Sequence, residues 1–301
     1  MNTENFGGIM KTNNRFKIFI VLLVVSLIFV AACGKRQGGS NSIQIKGSDT
    51  MVNLGQAWAE DFMKKNPDIS MAVTGGGSGT GITALLNNTC DIAEVSREMK
   101  QEELDMAKTK GFDPNEIKVA LDGLAVVVNP ANPVSQLTME QLADIFTGKI
   151  KNWKEVGGND TKIVILSREV NSGTHVYFKE HVLRKGNPKG TEEFAPEALL
   201  LSSSQAIADE VAQNTSAIGY YGMGYVSPKQ KTIHVAKDIQ SLYIAPTIES
   251  VIDNSYPISR PLLMYTHGTP KDNVKRFIDF ILSPEGQQLV KKLDFVPVKT
   301  I

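Results

Sequence analysis

Arg168 stands four residues ahead of Ser172, Gly173 and Thr174, and residue types at that spacing suit an oxyanion. A guanidinium offers a permanently charged, forked set of N–H donors. Two hydroxyls flanking a glycine add side-chain and backbone donors, and at the start of a helix these meet the positive end of the helix dipole. An ordinary N-cap with a surface arginine would show the same residues. A second run, Thr74 to Gly81, places Ser78 and Thr80 among glycines that let backbone N–H groups approach a ligand closely. It is not a nucleotide loop, because Ile82 and Thr83 follow Gly81 where a P-loop needs lysine and then Ser or Thr, and the dinucleotide glycine spacing is also missing. A third polar turn, Gly47, Ser48, Asp49 and Thr50, completes three separated sets of donors.

The turns lie between strand-like and helix-like segments. Ile163 to Leu166 reads as a buried strand running into the first of these turns, the short apolar stretch Ile69 to Val73 precedes the second, and Ile43 to Lys46 precedes the third. Behind the turns, Leu54, Ala57, Trp58 and Phe62 look helix-like, Val176, Tyr177, Phe178 and Val182 recur at helical spacing, and the glycine run leads into Leu85 and Leu86. Strand-like runs alternate with helix-like segments along the chain, as in Val119 to Val128, Met139 to Phe146, Ile163 to Leu166 and Ala206 to Ala212, which argues for an α/β architecture, and three separated polar turns suggest convergence on one site. The apolar run Val119 to Val128, closed by Asn129 to Pro133, reads as a strand crossing between two lobes, and Tyr256 to Tyr265 as the return crossing.

Residues 1 to 32 read as a lipoprotein signal peptide. Lys11, Arg15 and Lys17 precede an apolar run from Ile18 to Val30, and Ala31, Ala32 and Cys33 form a lipobox. Cleavage before Cys33 would leave a lipidated cysteine on a polar, glycine-rich tether, 33–41, and place the protein on the extracytoplasmic side of a membrane. A spanning anchor is the alternative, though the apolar run falls short of the roughly 20 residues that span a bilayer. The full chain has 32 basic and 32 acidic residues, and cleavage would leave about −2. Neither balance suits a nucleic-acid binder. With Cys33 lipidated, Cys90 alone remains, so no intramolecular disulfide can form, and Cys90 reads as a small buried hydrophobe.

Enzyme and metal chemistry find little support. Ser172 and His175 are badly placed for a nucleophile and its base, and no GxSxG elbow is present. The four histidines have no HExxH spacing, and no cofactor or metal is implied. Trp58, Trp153 and the face formed by Met139, Leu142, Ile145 and Phe146 read as core packing.

The chain resembles the PstS-like phosphate-binding proteins of bacterial ABC uptake systems. The resemblance runs from the Gly47-Ser48-Asp49-Thr50 turn to the tail, through Ile145-Phe146-Thr147-Gly148, Asn152-Trp153-Lys154-Glu155, Ala217-Ile218-Gly219-Tyr220 and Ser283-Pro284-Glu285-Gly286. It implies a type II periplasmic-binding-protein fold of two α/β lobes, 42–121 with 259–301 and 126–252, closing on one phosphate. It puts Thr50 and Ser78 on the family's donors from the first lobe, and Arg168, Ser172, Gly173 and Thr174 on those from the second. Ser48 belongs to the same turn as Thr50. Many family members have an aspartate where Ser96 stands here, reading the proton of monohydrogen phosphate. That leaves Ser96 as a weaker reader, Arg97 as a candidate second guanidinium, and Asp49 as a candidate proton acceptor or simply a helix N-cap. The implied partners are inorganic phosphate, membrane permease subunits and a lipid anchor on a monomer. Another oxyanion, sulfate or molybdate, and a signalling lipoprotein of the same fold are the alternatives.

Overall fold

The computed structural model describes residues 41–299, which belong to one compact unit. The signal-peptide reading, Cys33 and the tether up to residue 40 lie outside the described residues.

The first part of the chain alternates strands and helices: β1 (Ser42–Gly47), α1 (Val52–Lys65), β2 (Ser70–Thr74), α2 (Ser78–Leu86), β3 (Ile92–Val95) and α3 (Gln101–Thr109). β4 (Pro114–Val128) then runs through the middle of the molecule. The second lobe holds β5 (Gln136–Thr138), α4 (Met139–Phe146), β6 (Val164–Arg168), α5 (Gly173–Phe178), β7 (Leu199–Leu201), α6 (Ser204–Gln213), β8 (Ala217–Gly222), β9 (Lys231–Thr232), β10 (His234–Ala236) and α7 (Ile248–Ile252). The chain returns through β11 (Ser259–His267) and ends in α8 (Asp272–Ile281), α9 (Pro284–Lys292) and β12 (Val296–Pro297).

β4 joins the lobes because its two halves pair with different strands. Pro114 to Gly123 lie antiparallel to β11, while Leu124 to Val128 lie antiparallel to β8. The main sheet of the described residues therefore runs β2-β1-β3-β11-β4-β8-β6-β7 without a break. Both expected crossing strands are present, and the pairing of β11 with β4 slips between Leu262 and Leu263. Such a bulge bends a strand and strengthens its twist.

Each lobe has its own apolar interior. Ile43, Ile45, Leu54, Trp58, Phe62 and Phe277 pack on one face of the first lobe's sheet, and Ile82, Leu85, Val95 and Leu263 on the other. In the second lobe Leu142, Ile145, Phe146, Phe178 and Tyr220 form the larger cluster, and Leu166, Ile207 and Val211 the smaller. Trp58 and Trp153 are both core residues, their indole N–H groups donating to the carbonyls of Gly286 and Ser216. Cys90 is buried, as its setting between Thr89 and Asp91 suggested, and burial pushes its thiol up to about 12.

Candidate functional site

The three polar turns meet where the lobes face each other. On the first lobe, β1 ends at Gly47, and the Ser48 amide donates to the Glu94 carbonyl at 2.7 Å. That bond holds the Ser48-Asp49-Thr50 turn against the end of β3. α2 begins at Ser78, whose Oγ accepts from the Ser96 amide at 3.0 Å and lies 3.3 Å from the Ser96 hydroxyl. The Ser48 hydroxyl donates to Ser96 Oγ at 3.0 Å. Three buried serines, from two turns and the first residue of α2, thus form one connected set.

The second lobe supplies α5. Ser172 is its N-cap, its Oγ accepting from the His175 amide, so the capping role and a place at the ligand cleft coexist. Thr174, one residue into the helix, puts its hydroxyl 2.9 Å from that of Thr50 on the other lobe. Gly173 is required by close approach: a Cβ there would lie 2.2 Å from Ser78 Oγ and 2.7 Å from Ser96 Oγ. Its backbone comes straight down onto the serine set.

Contacts across the cleft show the lobes closed on one another. The Gly79 amide donates to the Asn171 carbonyl at 3.0 Å, and the Asn171 side-chain amide donates to the Gly76 carbonyl at 2.9 Å. Gly77, at φ +95°, takes the left-handed turn into α2, and a Cβ on it would sit 2.7 Å from the Asn171 carbonyl.

Charge enters through two arginines, each held by a carboxylate. Arg168, at the end of β6, donates from Nη1 to Asp49 Oδ2 at 2.9 Å and to Ser204 Oγ at 3.1 Å, and from Nη2 to the Ser202 carbonyl. Asp49 Oδ2 also accepts from the Ser204 amide at 2.8 Å, so this aspartate caps α6 of the opposite lobe rather than a helix of its own. Its Oδ1 has no hydrogen-bond partner among the described residues. Burial lowers the Arg168 pKa, with Asp49 working against that shift. The second arginine is Arg260 of β11, paired with Asp122 of β4, and neither side chain has exposed surface.

Arg97, the candidate second guanidinium, is engaged within its own lobe, and its Nε is buried with no partner among the described residues. Its guanidinium forks onto Glu103 at 2.7 and 2.8 Å and onto the Glu98 carbonyl, because Glu103 lies in the first turn of α3 and also accepts from the Lys100 amide. The second guanidinium beside the hydroxyls is Arg260. Arg260 and Asp122 escaped the motif reading, although each breaks an apolar crossing strand, which was the available signal. Among the described residues no group of His, Cys, Asp and Glu is arranged to hold a metal ion.

A set of hydroxyls, helix N-termini and guanidiniums enclosed between two lobes can bind a small tetrahedral anion. Comparison with known proteins agrees with that chemistry. Residues 34–285 match the family model described as a PBP superfamily domain. The phosphate-binding protein PstS of Pseudomonas aeruginosa is 32% identical over 281 residues, 88% of this chain and 85% of that protein. Among solved structures, a Clostridium perfringens protein described as a phosphate ABC transporter substrate-binding protein with bound phosphate is 38% identical. It covers 86% of this chain and all of its own, with a TM-score of 0.77. An ABC-type phosphate transport receptor from Vibrio cholerae is 33% identical and covers 85% of this chain and 99% of its own, with a TM-score of 0.68.

Proposed function

The chain belongs to the PBP superfamily and, within it, to the PstS family of phosphate-binding proteins, and from that membership we propose that it is the phosphate receptor of an ABC importer. The observation that carries the reading is the meeting of Thr50 and Ser78 with Arg168, Gly173 and Thr174 across one closed cleft. These donors sit on separate turns up to 124 residues apart in the chain, and a bound anion gives them a common acceptor.

Phosphate enters between lobes of about 42–121 with 259–301 and 126–252, and its oxygens take the hydroxyls of Ser48, Thr50, Ser78, Ser96, Ser172 and Thr174, the Gly173 amide and the Arg168 fork. Each hydrogen bond to a charged ligand in a dehydrated cleft contributes about 1.5–3 kcal/mol. A handful of them leaves about −8 kcal/mol or better after association costs, which is micromolar affinity. Binding energy selects the closed state. The closed receptor then docks on permease subunits in the membrane. Asp49 serves as acceptor for the proton of monohydrogen phosphate through its unpaired Oδ1. A lipid on Cys33 holds the protein, as a monomer, at the extracytoplasmic face of the membrane, and the site performs no chemistry on its ligand.

Calorimetric titration of ligand-stripped protein with phosphate and then sulfate tests the reading. Saturable phosphate binding with little response to sulfate is expected. Equal binding of both makes it a general oxyanion receptor, and binding of neither overturns the proposal.

A further inference from the structure

Arg260 and Asp122 are direct cross-strand partners, one on each of the two strands that connect the lobes. Arg260 donates from Nε at 3.0 Å and from Nη2 at 2.9 Å to Asp122 Oδ2, and from Nη1 to the Ser96 carbonyl at 3.1 Å. Nη2 also reaches Thr174 Oγ1 at 3.0 Å and Thr50 Oγ1 at 3.4 Å. A guanidinium carries five N–H groups. Nε uses its only one on Asp122, and Nη2 divides its two between Asp122 and the threonines. Nη1 has one left with no oxygen or nitrogen acceptor among the described residues, on a side chain with no exposed surface whose guanidinium lies 5.6 Å from the centre of the Tyr177 ring.

The hydroxyl protons lead to the same place. Thr50 and Thr174 lie 2.9 Å apart, so one donates to the other, while Arg260 already donates to both oxygens. The hydroxyl that accepts therefore keeps a free O–H. Arg260 turns this pair into a donor and leaves a spare N–H beside it, in a spot that water does not reach. Two unsatisfied donors buried side by side call for an acceptor, and burying them without one is costly.

We propose that Arg260 is a second anion-binding cation of the cleft, presented from the hinge strands, with Asp122 as its fixed counter-ion. This rests on the phosphate reading given above. Arg260 and Asp122 have no exposed side-chain surface, whereas Asp49 beside Arg168 is partly exposed, so the Arg260 pair is taken as the floor of the site. The four charges cancel before the ligand arrives, so the empty site is stable, and the N–H groups left over after these pairings are the ones available to the anion. Because β4 and β11 are also the strands about which the lobes turn, the floor of the site stays in place while the lobes move.

The test compares phosphate titrations of ligand-stripped parent protein, of Arg260→Gln combined with Asp122→Asn, and of Asp122→Asn alone. The double variant keeps hydrogen bonding between the two positions and removes both charges, so it unfolds cooperatively near the parent's melting temperature while binding phosphate at least about tenfold more weakly. Asp122→Asn alone frees the Arg260 charge from its counter-ion and binds phosphate more tightly than the parent. A folded double variant with the parent's affinity overturns the assignment of Arg260. Weaker binding by Asp122→Asn overturns it too, and remains readable if the double variant does not fold. A parent protein that binds no phosphate overturns instead the reading on which the proposal rests.

Discussion

Asp49 and Arg168 belong to opposite lobes, yet Asp49 Oδ2 accepts from Arg168 Nη1 at 2.9 Å and from the first amide of α6 at 2.8 Å. One carboxylate oxygen thus fixes the guanidinium and the helix behind it. The pair forms only when the cleft is closed, and it brings a negative charge to the wall of a site built for anions. That charge is tolerable because Arg168 and the amide of α6 neutralise it.

Replacing Arg168 therefore costs more than the arginine's own donors. Arg168→Ala strips the guanidinium and leaves Asp49 unpaired near the ligand, and truncating one member of a buried charge pair costs about 2–5 kcal/mol. Phosphate affinity is expected to fall at least about thirtyfold. Adding Asp49→Asn removes the exposed repulsion and recovers part of the loss, with a coupling of about 0.5–3 kcal/mol in a double-mutant cycle. Strict additivity in calorimetry would mean that the two residues act independently.

Asp49 on its own bears on selectivity. Its Oδ1 is an open acceptor, which monohydrogen phosphate can satisfy with its proton and sulfate cannot. In Asp49→Asn the amide can present N–H at that position, so sulfate is no longer repelled. Competition titrations are expected to show the preference for phosphate over sulfate falling at least about tenfold. An unchanged preference would dismiss Asp49 as the proton reader.

What the sequence revealed follows from the range of the interactions involved. The donor turns were legible because strand, polar turn and helix are local patterns, and Ser78, Ser172 and Thr174 do stand at helix starts. The crossing strands were legible as long apolar runs. Arg260 and Asp122 were not, because their meaning depends on strand register across 138 residues. Arg97 has a local partner instead, Glu103 six residues away, which takes two of its donors.

Closure can be blocked without touching a charged group. A methyl group at Gly173 would meet Ser78 Oγ at 2.2 Å and Ser96 Oγ at 2.7 Å, both on the facing lobe. Gly173→Ala leaves each lobe's core untouched, and alanine suits a helix start, so the melting temperature of ligand-free protein is expected to hold. The closed state loses about 1–3 kcal/mol through overpacking, which weakens phosphate binding roughly 5- to 150-fold. Small-angle scattering with saturating phosphate should then report a larger radius of gyration than the parent's. Identical radii would show that the lobes accommodate the methyl.

Glu94 links the same region to pH. It lies in β3 between Gly47 of β1 and Met264 of β11, its carbonyl holding the Ser48 amide, while both carboxyl oxygens are buried with no partner among the described residues. Gly55 of α1 leaves it room, since a Cβ there would lie 2.4 Å from Oε1. Burial pushes this carboxyl well above the ordinary range, so the folded protein holds a proton that the unfolded chain releases near pH 4.3. A raised carboxyl contributes its stability below that unfolded value and loses it as pH rises towards the folded one, at up to about 1.4 kcal/mol per pH unit. His175 acts in the opposite sense. Burial depresses it to about 4, so its contribution is present above about pH 6.5 and is lost as pH falls. Glu94→Gln keeps the shape and removes only the carboxyl titration, and His175 cancels in the comparison. Urea denaturation of both proteins from about pH 5 to about pH 8 should show the variant gaining on the parent with every step upward. A gap that stays constant with pH would mean that Glu94 is charged in the fold and has found a partner.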